Sequence, residues 1–291
     1  MSKFYPLSIG SLKNETRDTI VVTFCVPPEL KEIFQYKQGQ HLTLRSEING
    51  EDLRRSYSIC SAVQDEQLRV AIKRTQGGIF STWANETLKV GHSVLVMPPM
   101  GQFNLPLSAD NKKHYLAFAA GSGITPMLSI IKTTLISEPG SRFTLVYGNR
   151  ASSSVIFKES LTDLKDAYLN RLNIIYVMSR ERQDVEMFNG RITREKCDQF
   201  FTSWIRLEDI DAAFICGPED MIQAVRESLQ ANGMDKNNIK AELFAAGIPQ
   251  KRSTAIRSVA DKQECEVTVI VDGYHTVFTM EKENESLLDA G

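Results

Sequence analysis

The sequence predicts two domains in series, an antiparallel β-barrel over residues 1–108 and a doubly wound α/β domain over 112–245. Three observations carry that expectation. Up to residue 97 the apolar residues fall in short alternating runs separated by Gly, Pro and Asn, the pattern of a small all-β domain. From 115 onward strand-length apolar runs alternate with helical periods, as parallel strands joined by crossover helices do. Between the two stretches lie Pro98-Pro99-Met100-Gly101 and a polar connector at 108–113, where neither pattern continues.

Barrel strands are read at 19–24, 41–44, 57–60, 68–73 and 94–96, with one helix opened by Gly77-Gly78 and running to about 88. In the α/β part the strands are 115–119, 143–147, 172–178, 212–216 and 239–244. Helices fall between them, to about 136 and near 156–168, 193–201 and 219–231. Residues 246–264 have little periodicity and read as a linker. The stretch 265–291 reads as two strands around Asp272-Gly273 followed by the start of a helix. It is too short to bury a core of its own and is expected to be the opening of a third domain.

At 291 residues and 42% hydrophobic content the chain has room for two cores. A formal net charge of -2 offers no basic surplus for nucleic acid, and no apolar run is long enough to span a membrane. The N-terminus has no basic-then-apolar leader pattern, so a cytoplasmic location is expected. The five cysteines, Cys25, Cys60, Cys197, Cys216 and Cys265, are scattered and odd in number, which argues against a disulfide framework and a zinc site.

The most informative stretch is 115–127, an apolar run that breaks into Gly121-Ser122-Gly123 and meets Thr125-Pro126 ahead of a helical segment. Glycines there let backbone approach a pyrophosphate, Thr125 is expected to cap the helix, Pro126 suits its first turn, and free amides at the helix start attract an anion. In an open α/β sheet a ligand sits beyond the C-terminal strand ends. Those ends carry Gly148-Asn149-Arg150, Ser179-Arg180 and Cys216-Gly217-Pro218. Two arginines and a serine at adjacent strand ends suit a 2′-phosphate, and no acidic residue stands at the end of the second strand to bind a ribose hydroxyl, so NADPH is favoured over NADH. Cys216 at its strand end is placed to touch a nicotinamide ring.

In the barrel, strand alternation sets Arg55 and Tyr57 of Arg55-Ser56-Tyr57-Ser58 on one face, a cation for phosphates and a ring for an aromatic system. That arrangement suits a flavin dinucleotide, with Ser58 near the flavin N5 and with Lys73 and the helix opening at 78–81 at its pyrophosphate.

As an ordered set these motifs resemble the ferredoxin-NADP reductase superfamily over roughly 4–244. The run Gly39-Gln40-His41-Leu42-Thr43-Leu44 and the stretches 53–60, 119–128 and 143–150 are most similar to the reductase subunits of phenylacetyl-CoA epoxidases. The resemblance implies FAD in the barrel, held by Arg55, Ser56, Tyr57, Ser58, Ile72, Lys73, Gly78, Phe80 and Ser81, with Phe244 over the other flavin face. It implies NADPH at Gly121, Ser122, Gly123, Thr125, Pro126, Asn149, Arg150, Ser179, Arg180, Cys216, Gly217 and Met221. Tyr57, Ser58 and Cys216 are the residues expected nearest the chemistry, and no metal ligand is expected.

Such subunits carry a plant-type [2Fe-2S] ferredoxin domain at the C-terminus, which the tail from Cys265 resembles as an incomplete β-grasp start. The Cys-x4-Cys-x2-Cys ligand run is absent, so the cluster is expected only in a longer chain. The implied activity is electron transfer from NADPH through FAD to an oxygenase component, in phenylacetate degradation. The alternatives are a reductase for an aromatic-ring oxygenase, a haem protein or a hybrid-cluster protein, and a nucleotide-binding subunit without turnover.

Overall fold

A computed structural model describes residues 3–244 and, beyond them, the backbone of 264–271 and 274–281. The chain divides into two compact units, Met1–Gly247 and Ile248–Gly291.

The first part of the larger unit is a six-stranded antiparallel sheet in the order β4-β3-β6-β1-β2-β5. Its strands are β1 (Tyr5–Thr16), β2 (Thr19–Cys25), β3 (His41–Ile48), β4 (Glu51–Ser58), β5 (Leu68–Lys73) and β6 (Ser93–Val96). The two edge strands meet where Ile59 bridges Val70 and the Cys60 amide donates to the Arg69 carbonyl at 2.9 Å, which curls the sheet into a barrel. Alternate residues point inward: Leu7 and Ile9, Ile20 and Val22, Leu42 and Leu44, all nearly or wholly buried. Each such side chain contributes about 1.5–3 kcal/mol of burial. Helix α1 (Ile79–Thr87) closes one end with Phe80 and Ala84.

Two barrel strands differ from the sequence reading. β1 has no counterpart among the predicted runs, because only Leu7 and Ile9 of its residues are fully buried and its register shifts beside Gly10. β4 begins at Glu51, six residues before the predicted start at Tyr57; its outer half is charged and exposed, so it carries no apolar run.

The second part is a five-stranded parallel sheet in the order β11-β10-β7-β8-β9. It comprises β7 (His114–Ala120), α2 (Ile124–Ser137), β8 (Arg142–Asn149), α3 (Lys158–Ala167), β9 (Leu172–Met178), α4 (Arg194–Ser203), β10 (Ala212–Gly217), α5 (Glu219–Ala231) and β11 (Ile239–Leu243). Helices α2 and α3 cover one face, α4 and α5 the other. The chain reverses its strand order between β7 and β10, the switch point where the loops after both strands part and leave a crevice. The face under α2 also takes in Val21, Cys60, Ala71 and Phe103, so this helix lies between the sheet and the barrel.

In the smaller unit β12 (Glu264–Val271) and β13 (Tyr274–Glu281) form one antiparallel pair. The predicted linker at 246–264 lies outside the described residues apart from its last residue, Glu264, which opens β12, and the predicted turn at 272–273 and terminal helix lie wholly outside them.

Candidate functional site

Gly121, Ser122 and Gly123 form a single tight turn between β7 and α2. Gly121 has φ +53°, and a Cβ there would meet only the Lys73 ammonium at 4.0 Å. Gly123 is the opposite case, since a Cβ would stand 2.1 Å from the Cys216 carbonyl oxygen. Buried Tyr147 donates its hydroxyl to the Gly121 carbonyl at 2.9 Å, holding the turn from beneath. No side chain caps α2, which leaves its first amides to whatever anion approaches. The predicted cap by Thr125 is corrected: its hydroxyl donates to the Ser122 carbonyl at 3.0 Å, one turn back, because Thr125 already lies inside the helix. Pro126 does sit in the first turn.

The neighbouring strand ends converge. The Ser179 amide donates to the Asn149 carbonyl at 2.9 Å and the Arg180 amide to the Arg150 carbonyl at 2.8 Å, which sets the two arginines side by side. Arg150, Ser179 and Arg180 are exposed, while Asn149 is buried. Among the described residues neither arginine has an ion-pair partner. The next acid, Glu181, is engaged by the Ser152 amide and hydroxyl at 2.8 and 2.9 Å, which hold its carboxyl below the usual range. Gly217 packs on Met221, whose methyl would lie 2.6 Å from an added Cβ.

On the barrel side Arg55 is exposed, with one guanidinium nitrogen on the Arg54 carbonyl at 2.6 Å. The Ser56 hydroxyl meets that of Thr43 at 3.1 Å. Tyr57 lies 5.9 Å from Phe80, and burial pushes its phenol well above its ordinary pKa. Ile72 and Phe80 point into the barrel core, so these two support the strand and helix from behind and can offer a ligand little beyond backbone. At the α1 corner Gly77 has φ +74° and open space about it, and α1 has no side-chain cap. The Ser81 hydroxyl turns back to the Thr75 amide at 3.2 Å and the Gly78 carbonyl at 3.3 Å. Lys73 pairs with Asp18 at 3.8 Å and lies beside Gly121, at the second nucleotide corner.

Where the two halves meet, Ser58 at the end of β4 donates its hydroxyl to Glu242 Oε2 of β11 at 3.3 Å. Burial raises the Glu242 carboxyl to about 7, against a partial lowering by that hydrogen bond. Register pairs Glu242 with Cys216 on β10, and burial, then the nearby carboxylate, push that thiol far up. Cys216 is fully buried, and Phe244 packs half-buried on the same cluster. Sequence reasoning assigned no role to Glu242; a single acid in a short edge strand carries no signal until its partner Ser58 is known.

Residues 6–105 match the family described as "Oxidoreductase FAD-binding domain" and 118–227 the family "Oxidoreductase NAD-binding domain". The chain is 43% identical over 291 residues, all of its length and 81% of the relative's, to a component of the 1,2-phenylacetyl-CoA epoxidase of Escherichia coli K12. The chain belongs to the ferredoxin reductase-like family of FAD- and NAD(P)-binding oxidoreductases. A second relative of this reductase is the "3-ketosteroid-9-alpha-monooxygenase, ferredoxin reductase component" of Rhodococcus rhodochrous, 36% identical over 82% of this chain and 64% of that one. The FAD/NAD-binding domain of nitric oxide dioxygenase from Vibrio cholerae shares the fold, with a TM-score of 0.71 at 24% identity over 84% of this chain and 99% of that one.

The residues present fit both nucleotides. Each glycine corner offers uncapped helix amides beside open space, and cations stand at Arg55, Lys73, Arg150 and Arg180. Among the described residues Cys25 is exposed, Cys60, Cys197 and Cys216 are buried, and no three candidate metal ligands gather as an iron–sulfur cluster would need. No helix among the described residues is long and apolar enough to cross a membrane.

Proposed function

We propose that this reductase oxidises NADPH and delivers electrons to the oxygenase of a phenylacetyl-CoA epoxidase. The observation that carries the enzymatic part is the junction at which Ser58, from the barrel, meets Glu242 beside Cys216 and the Gly121–Gly123 turn. The acceptor rests on the 43% identity that runs through the whole chain.

FAD held on the barrel supplies the ability to take two electrons at once and release them singly. The chain's own part is binding, orientation and proton control. Arg55 and the α1 amides would hold the phosphates of the flavin nucleotide, and Tyr57 would offer its ring to the flavin. The amides after Gly121 and the Lys73 ammonium would hold the nicotinamide nucleotide, and the Arg150 and Arg180 pair would meet its 2′-phosphate. Ser58 presents a hydroxyl at the reacting edge. Glu242, poised near neutrality, passes a proton to or from that hydroxyl.

Anaerobic titration with NADPH tests this reading directly: a flavin absorption band should bleach with one equivalent, and a chain that shows no flavin band after FAD is added refutes it. Replacing Arg150 and Arg180 together by Ala should raise KM for NADPH at least tenfold and leave KM for NADH nearly unchanged. An equal rise for both would remove the 2′-phosphate assignment. Comparing phenylacetyl-CoA epoxidase and ketosteroid monooxygenase components as acceptors decides the partner.

A further inference from the structure

Ser58 ends β4, and the residues that follow it, 59–67, return the chain to β5 along the flank of α2. A seam of hydrogen bonds joins loop and helix. Ser129 Oγ donates to the Ser61 carbonyl at 2.7 Å, the Val63 amide to Thr133 Oγ1 at 3.2 Å, Gln64 Nε2 to Ser137 Oγ at 2.8 Å, and Lys132 Nζ to Asp65 Oδ1 at 2.5 Å. Ser129, Lys132, Thr133 and Ser137 recur at helical spacing, a polar stripe along a largely apolar helix. Ser and Thr inside a helix ordinarily bond back to their own carbonyls. Here Ser129 and Thr133, both buried, reach across to the other half instead.

Asp65 is the centre of this seam. Its second oxygen accepts from Arg69 at 2.9 Å and from the Ala62 amide at 3.0 Å, while the Tyr36 hydroxyl fixes the loop from its far side through the Ala62 carbonyl at 2.7 Å. The Asp65 side chain is only 15% exposed, so its pairs are shielded from salt more than surface pairs are. The loop is thus rigid, starts at the flavin edge, and is fastened to the helix that starts at the nicotinamide corner. Halves of a chain joined by a connector alone are free to shift against each other.

We propose that the seam is a splint, with Asp65 a positioning residue that acts through Lys132 to fix the gap between a nicotinamide at the α2 N-terminus and a flavin beside Ser58. The inference rests on the functional reading above. The reaction it serves moves one hydride, two electrons with one proton, leaving NADP+ and FAD reduced by two electrons. Such a transfer needs the reacting atoms held about 3–3.5 Å apart, and a misplacement of about 1 Å can cost on the order of a hundredfold.

The test is single-turnover bleaching of the FAD-loaded chain by NADPH under anaerobic conditions. Asp65→Asn keeps the shape of the side chain and removes its charge. The rate constant per bound flavin should fall roughly tenfold or more. The isotope effect with NADPH deuterated at C4 should grow, while flavin content and the Kd for NADPH stay as in the wild type. Lys132→Met should give the same fall, and the double variant no further one. Should Asp65→Asn fail to fold, Ser129→Ala takes its place with the same expectation. A wild type bleached by NADPH whose variants keep its rate overturns the splint alone, as does a double variant whose losses simply add. A wild type that holds FAD but is not bleached overturns the functional reading, and the splint with it.

Discussion

Twice the chain turns from a strand into a helix through glycines that face an expected phosphate, and the two corners are built on different terms. At 77–78 the turn is open: Gly77 has nothing within 4 Å of an added Cβ, and Gly78 is crowded chiefly by the hydroxyls of Thr75 and Ser81, with the Thr75 carbonyl oxygen farther off at 3.3 Å. At 121–123 the turn is pressed against β10, so that Gly123 faces the backbone of Cys216 itself. The first corner is shaped by side-chain hydrogen bonds that can rearrange. The second is shaped by backbone against backbone, which cannot. A corner of the second kind holds its ligand to a tighter position and tolerates less change.

The largest effect expected from that contrast is Gly123→Ala. A Cβ 2.1 Å from the Cys216 carbonyl forces β10 and α2 apart, costing about 3 kcal/mol or more. Urea unfolding should show it, together with loss of NADPH binding; an unchanged midpoint would dissolve the distinction between the corners. Gly78→Ala should cost less, about 1–2 kcal/mol, because the Thr75 and Ser81 hydroxyls turn aside and give up the hydrogen bond between them. Its signature is reduced FAD content with NADPH affinity intact. The smallest pair is Gly77→Ala and Gly121→Ala. Both add a Cβ to open space at positive φ, so each should cost only about 1 kcal/mol of strain. They sharpen the comparison by function: the first should weaken FAD retention and the second raise KM for NADPH.

Legibility in the sequence followed the same divide between local and long-range causes. α5 is predicted at the residues it occupies, because Pro218 stops the strand before it and Asn232-Gly233 stop the helix after it. The central parallel strands β7 and β10 announce themselves as apolar runs, being buried on both faces. β1 is silent because two fully buried residues in a strand of twelve make no run. The glycine corners and strand-end arginines are readable from type and spacing. Glu242, the turn of Lys73 toward Gly121 and the polar stripe on α2 are not, since each takes its meaning from a residue far away in sequence.

The burial of Glu242 also couples folding to acidity. Its carboxyl is raised from 4.5 to about 7, so the folded chain retains a proton that the unfolded chain has released at intermediate pH. Stability from this group is therefore fully present below about 4.5 and is lost as pH climbs through about 7, the reverse of an ion-paired carboxylate. Glu242→Gln should flatten that part of the profile of Tm against pH. The same proton that makes the junction useful near neutrality makes it a weak point of the fold in alkali.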